Sequence, residues 1–333
     1  MDRRLGWSVF PRLAGWLVFG AACIAQTNTP KPALVVLNKD ESALAIVDPA
    51  TYQVLAKVPT GPIPHEVAVS ADGKIAIATN YGPQRDGTTL SVIDLAAQKE
   101  IYRVELESLK GPHGILFHSG KAYFTVEGSN AIARYDPATN RVDWTFTTSQ
   151  NGTHMLVVSR DGNTIFTANI GSNTVTCLKR DPAKDVWSTT QIPVGKGPEG
   201  IDLSPDEKEV WAANSGDGTL SIIDVGSKKV TQTMDLHTKR SNRVKFTPDG
   251  KRVLISDWGS GDLVVVDAMN LREEKRMHLG SSVEGILIVP DGSRAFIAVS
   301  GDNKVAVLDL KTLAVLSTFE TGKDPDGMAW AVQ

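Results

Sequence analysis

Five residues ahead of each recurring turn serine, or the residue that replaces it, this chain places His65, His113, His154, Glu199, Asn242, Glu284 and Asp326. None of the seven is apolar, and three of the chain's six histidines fall among them. Three imidazoles on consecutive repeats, followed by a carboxylate, form a ligand set suited to Zn, Cu, Mn or Fe. His65, His113 and His154 are therefore the expected metal ligands if a divalent ion is held. The competing reading is a solvated polar rim without metal, in which Glu199, Asn242, Arg243, Glu284 and Asp326 bind a ligand directly. Arg243 belongs to a basic arc with Lys239 and Arg240, and a guanidinium can grip a carboxylate or phosphate through two parallel hydrogen bonds. Two further acids, Glu127 and Asp257, stand where Asn38, Asn80, Asn169 and Asn214 end the corresponding segment in other repeats. Glu127 and Asp257 are the candidate catalytic acid and base. The structural alternative for both is an acid that accepts a backbone N–H within its own turn. The recurrent asparagines read as turn residues that tolerate unusual backbone angles.

The elements that must position these residues repeat with a constant order: an apolar strand, an Asp-Gly-type turn, a second apolar strand, and a third strand ending in Asp. The turn appears as Ser70-Ala71-Asp72-Gly73, Ser159-Arg160-Asp161-Gly162, Thr247-Pro248-Asp249-Gly250 and Val289-Pro290-Asp291-Gly292. Third strands close on Asp94, Asp136, Lys179, Asp224, Asp267 and Asp309, at spacings of 42, 43, 45, 43 and 42. A period of that length carrying four strands means an all-β fold, a seven-bladed β-propeller of four-stranded antiparallel blades. Residues 33–60 supply only three strands, and the missing first strand lies at Gly327–Val332. The ring is thus expected to close by pairing an N-terminal set of three strands with one C-terminal strand, which removes free sheet edges.

The elements GPIPHEVAVSADGKIAIATN and GKGPEGIDLSPDEKEVWAANSGDGTLSIIDVGSKKV, with their partners, resemble the YVTN family of seven-bladed propellers over about nine-tenths of the chain. The resemblance implies an extracytoplasmic protein whose relatives bind ligands, metals or partner proteins. It leaves the activity to be argued from the site. Lys179, where an Asp is usual, and Glu207, where a Gly is usual, depart from the pattern.

Ahead of the repeats, Arg3, Arg4 and Arg12 precede an uncharged 13-residue stretch, Leu13 to Ala25. That order and length predict a signal peptide over residues 1–25, a short linker over 26–32 and a single propeller domain over 33–333. A lipid-anchored Cys23 is the competing leader reading. The expected location is periplasmic or secreted, with no transmembrane span in the mature chain. Removing the leader's three Arg and one Asp takes the net charge from −3 to −5, which gives no general attraction for nucleic acid. Cys177 then has no partner for a disulfide and is expected to be buried. Phosphate loops, a nucleophile elbow, haem-attachment and zinc-ribbon cysteines are all missing from the sequence.

Two classes of function follow. The first is an exported, monomeric binding protein whose polar channel mouth holds a small polar or anionic ligand or an envelope protein. The alternative is a metal-dependent lactonase or lyase with a His-rich site at that mouth.

Overall fold

The computed structural model describes residues 1–2 and 32–332. The expected leader falls outside these residues apart from its first two positions, as does Cys23, and so does the linker up to residue 31. Within them, seven four-stranded antiparallel sheets form the ring. Blades 1 to 6 span residues 64–105, 112–147, 153–193, 198–235, 241–278 and 283–319. Blade 7 joins Pro325–Ala331, as its innermost strand, to Ala33–Asn38, Ala43–Val47 and Val54–Pro59. Val35 lies opposite Ala329 and Leu34 opposite Trp330, so the two ends of the propeller are locked by a full strand pairing. No helix among the described residues is long and apolar enough to cross a membrane.

Burial follows strand order. Second and third strands, such as Ile75–Asn80 and Thr89–Asp94, are buried on both faces, because each sheet packs against a blade on either side. Their continuous apolar runs build the cores between blades, as where Ala76 and Ala78 of blade 1 meet Val35, Leu37 and Ile46 of blade 7. Outer strands alternate toward solvent, as in Arg141–Thr147. Cys177 is buried in this core, and burial pushes its thiol pKa up.

Turn chemistry accounts for the repeat's polar residues. Gly73 adopts φ +69°, and its N–H donates to the Ser70 carbonyl, while the Ser70 hydroxyl donates to Asp72. The Asp that ends each third strand accepts backbone N–H groups of the next turn, as Asp94 does from Ala97 and Asp309 from Thr312. Both departures from the repeat have local solutions. Blade 3's third strand runs past Lys179 to Asp181, which takes over the turn by accepting from Ala183. Glu207 holds the left-handed turn position at φ +60°, and its carboxylate accepts the Arg160 N–H at 2.7 Å.

The recurrent asparagines differ from the turn reading. Asn169 is extended (φ −122°, ψ 95°), and Asn38, Asn80, Asn169 and Asn214 are fully buried. Asn80 donates to Thr89 at 2.9 Å and Ser91 at 3.0 Å, and Asn214 bonds Thr219 and Ser221 in the same way. Asn80, Asn169 and Asn214 staple the second strand to the third, whereas Asn38 bonds Thr321 in the loop that leads to the inner strand of its blade. Left-handed positions after the second strands are held instead by Asn130, Asn173 and Asn303, which end the short 3-10 turns there.

Candidate functional site

Each innermost strand contributes its second residue to one end of the channel. These seven residues are His65, His113, His154, Glu199, Asn242, Glu284 and Asp326, and all line one cavity of about 770 Å³. A bulge just after this position in most inner strands breaks the register with the second strand, as between Pro64 and Val67. Second-strand hydroxyls hold the bulge. Thr79 Oγ1 accepts the Glu66 N–H at 3.1 Å and donates to the His113 carbonyl of the next blade at 2.8 Å. Thr125 repeats this between Gly114 and His154. The left-handed Asn130 and Asn173 accept the N–H of Gly152 and Gly197, fixing the loops that lead into the next inner strands.

The histidines form a row. His65 Nδ1 and His113 Nε2 are 3.1 Å apart, and His113 packs on His154 with ring centroids separated by 3.7 Å and planes tilted by 33°. Glu127 ends the row by bonding His154 Nδ1 at 2.9 Å. It also accepts from the Tyr81 hydroxyl at 2.6 Å and pairs with Arg85 at 2.7 Å. Burial opposes the charge on Glu127, but the His154 and Tyr81 hydrogen bonds and Arg85 outweigh it and hold the carboxyl below its usual range. Tyr81 packs against the His65 and His113 rings, and burial together with Glu127 raises its phenol pKa.

At the opposite end of the row stands Asp326, with no exposed surface. Neither of its oxygens has an aligned hydrogen bond, and the nitrogens of Lys39, His65 and Arg243 lie at 3.5, 3.5 and 3.6 Å. Burial pushes the Asp326 carboxyl up, and Glu284 rises through burial and the neighbouring Asp326. Lys39 sits between Glu284, Asp324 and Asp326. Burial works against its charge, yet these carboxylates keep it ionised. His65 and His113 go the other way: burial, reinforced by the positive charges of Lys39 and Arg243, holds both imidazoles neutral well below 6.5.

The remaining candidates occupy different places. Arg243 is committed inside the protein, with Nε on Glu66 at 2.8 Å, Nη2 on Glu66 and Nη1 on Asn242. Asn242 in turn donates to Glu199 at 2.7 Å. Asp257 is not drawn into the row. Its carboxylate accepts the N–H groups of Lys239, Arg240 and Gly259 and the Ser260 hydroxyl, stapling its own loop. Trp258 and Arg240 lie at the cavity mouth, the guanidinium 4.5 Å above the indole ring. His237 and His278 are on the outer surface.

A tripod of imidazoles needs nitrogen lone pairs aimed at one point about 2 Å from each. Here the His113 ring packs on the His154 ring at a 33° tilt, while the His65 and His113 nitrogens point at each other. Among the described residues, no group of three or more His, Cys, Asp or Glu side chains is arranged to hold a metal ion. The row is built for proton chemistry: two neutral imidazoles, one carboxylate kept ionised and one pushed toward its protonated form.

Sequence reasoning did not find Lys39, Arg85, Glu66 or Asp324. Lys39 and Arg85 lie in loops that vary between repeats and carry no periodic signal. Glu66 had one signal: it replaces the Gly that follows the site residue in four of the blades.

Ring and site together define a propeller with a buried acid–imidazole row at one channel mouth. The chain belongs to the lactonase, 7-bladed beta-propeller family, whose model matches residues 50–242. Among solved structures it is similar to Kuenenia stuttgartiensis hydrazine synthase, at 20% identity and a TM-score of 0.73, with 89% of this chain and 99% of that chain covered. A putative 6-phosphogluconolactonase from Bacteroides uniformis shares 16% identity at a TM-score of 0.75, covering 90% and 99%. The Pseudomonas aeruginosa periplasmic gluconolactonase shares 16% at 0.74, covering 91% and 100%. Likeness at these identities is one of fold. Comparison with curated proteins gives no match.

Proposed function

We propose that this protein is an exported lactonase that hydrolyses small polar lactones at the mouth of its channel. Membership of the lactonase propeller family supports an ester-ring substrate, and the structural likeness to gluconolactonases agrees with it. The leader-like N-terminus and the YVTN-like repeats support a periplasmic or secreted setting.

The observation that carries the reading is His65. Its Nδ1 faces His113 and Asp326, which leaves Nε2 without a protein partner among the described residues, on a ring that lines the cavity. It is also the most open imidazole of the row, with 19% of its side chain exposed. A neutral imidazole in that position takes a proton from water as the water oxygen bonds to the lactone carbonyl carbon. Collapse of the tetrahedral intermediate breaks the ring C–O bond, and the imidazolium returns the proton to the departing alkoxide. His113 Nε2, 3.1 Å from His65 Nδ1, accepts its N–H and shares the transient positive charge. Arg85 and Arg240, both exposed at the mouth, supply positive potential for the carbonyl oxygen. Four basic and five acidic side chains line the cavity, a balance that suits a polar, uncharged ring better than a strongly ionic one.

The test is a panel of γ- and δ-lactones, including unphosphorylated sugar lactones, followed by acid release. Turnover above the spontaneous rate in wild type, and its loss in His65→Gln, is expected. A wild type with no turnover across the panel overturns the reading.

A further inference from the structure

One layer beneath the site residues, the channel is stripped almost bare. The next residue of each inner strand is Gly114, Gly200, Gly285 or Gly327 in four blades, and Glu66, Met155 or Arg243 in the other three. The glycines are required by close approach. A Cβ at Gly285 would lie 2.1 Å from the Asp326 carbonyl oxygen, and one at Gly327 would lie 2.3 Å from that of His65. Neighbouring inner strands therefore touch through backbone at this level, and only three side chains remain to fill the waist.

Two of the three meet. Glu66 belongs to blade 1 and Arg243 to blade 5. Around the ring, blades 6 and 7 separate them on one side and blades 2, 3 and 4 on the other, so their ion pair spans the channel. Arg243 has 4% and Glu66 13% of its side chain exposed. Above the pair lies the 770 Å³ cavity; below it, a chamber of about 540 Å³ is walled on part of its surface by apolar inner-strand residues such as Ile115, Leu156 and Ile286 and elsewhere by Arg160, Asp202, Glu207 and Lys245. Arg243 lines both.

We infer that the Glu66–Arg243 pair is a bar that sets the size limit of the substrate. It rests on the lactonase reading for the chemistry above it, but its own role is steric and electrostatic. A lactone ring fits above the bar, whereas an alkyl tail long enough to reach the waist meets two charged groups already bonded to each other. To pass, the tail would have to break that pair and leave both charges unsolvated. The apolar stretch of the lower chamber, around Ile115, Leu156 and Ile286, would accept such a tail if the bar were removed, since it offers the contact that each additional methylene needs. Arg243 and Glu66 are thus specificity-determining residues.

The experiment compares a ladder of γ-lactones, from γ-butyrolactone to γ-dodecalactone, on wild type and on the near-isosteric double variant Glu66→Gln/Arg243→Met. The readout is the ratio of kcat/KM for long against short members within each protein, so a general loss of rate does not affect it. In wild type the ratio should fall steeply as the tail lengthens, and in the double variant it should rise at least 10-fold. Met155→Ala, which widens the waist from a third blade and keeps the ion pair, should raise it about 3-fold and serves if the double variant does not fold. An unchanged ratio in a folded variant overturns the inference. Calorimetric binding of γ-dodecalactone separates the two readings. If wild type turns over no lactone, the lactonase reading fails, while binding to the variant alone still supports the bar, and equal binding to both proteins overturns it.

Discussion

His65 and His113 stay neutral because burial and the nearby Lys39 and Arg243 charges disfavour the imidazolium. Their folded pKa values lie below the unfolded value of 6.5, so the unfolded chain binds protons that the native chain refuses. Stability is therefore fully present above about pH 6.5 and declines as the pH falls toward the depressed folded values. Melting curves across that window should show Tm falling with pH, and His113→Gln should flatten the slope; an equal slope in both proteins would contradict the assignment. The same depression keeps His65 available as a base below pH 6.5, so the acid limb of kcat/KM should lie on the acid side of that value. Replacing His65 by Gln should lower kcat by about 10²- to 10⁴-fold, the range for losing a general base, without changing the circular dichroism spectrum. Arg243→Met alone is a different kind of lesion. It leaves Glu66 and Asp326 without their shared cation and should cost about 3–5 kcal/mol in a denaturant titration, whereas the double variant with Glu66→Gln should recover part of that loss.

At the scale of elements, the site depends on the bulged start of each inner strand and on the hydroxyl that holds it. Thr79 joins blade 1 to the His113 backbone of blade 2, so Thr79→Val leaves an N–H and a carbonyl unbonded in a buried place. A loss of about 1–3 kcal/mol is expected by chemical denaturation, with a fall in kcat as His113 drifts from His65. This layer was partly legible in the sequence. The site slot could be found because it recurs at a fixed offset from the turn, and the acids Glu127 and Asp257 stood out as replacements for Asn. What separates those two acids was not legible: one reaches a histidine of the next blade, while the other is consumed by N–H groups of its own loop. The asparagines misled for a related reason. A residue type favoured in turns was here used to bond the neighbouring strand, and only the pairing partner distinguishes the two uses.

For the whole molecule, periodicity specified the ring, including closure by Pro325–Ala331 against Ala33–Asn38. The closing strand also carries Asp326, so fold and site end on the same seven residues. Deleting residues 325–333 should expose the edge of Ala33–Asn38 and yield aggregated protein in size-exclusion chromatography; a soluble, monodisperse product would contradict this role. The Glu66–Arg243 bar was beyond sequence reading because repeats reveal which strands are neighbours along the ring and say nothing of contacts across it. The close packing of the histidines was hidden likewise: residue types suggested ligands, whereas the spacing of the inner strands brings the His113 and His154 rings to 3.7 Å at a 33° tilt. The most direct measurement is lactone hydrolysis followed by pH-stat with wild type and His65→Gln side by side. The account requires turnover in the wild type and near-complete loss in the folded variant; equal rates in the two proteins would contradict it.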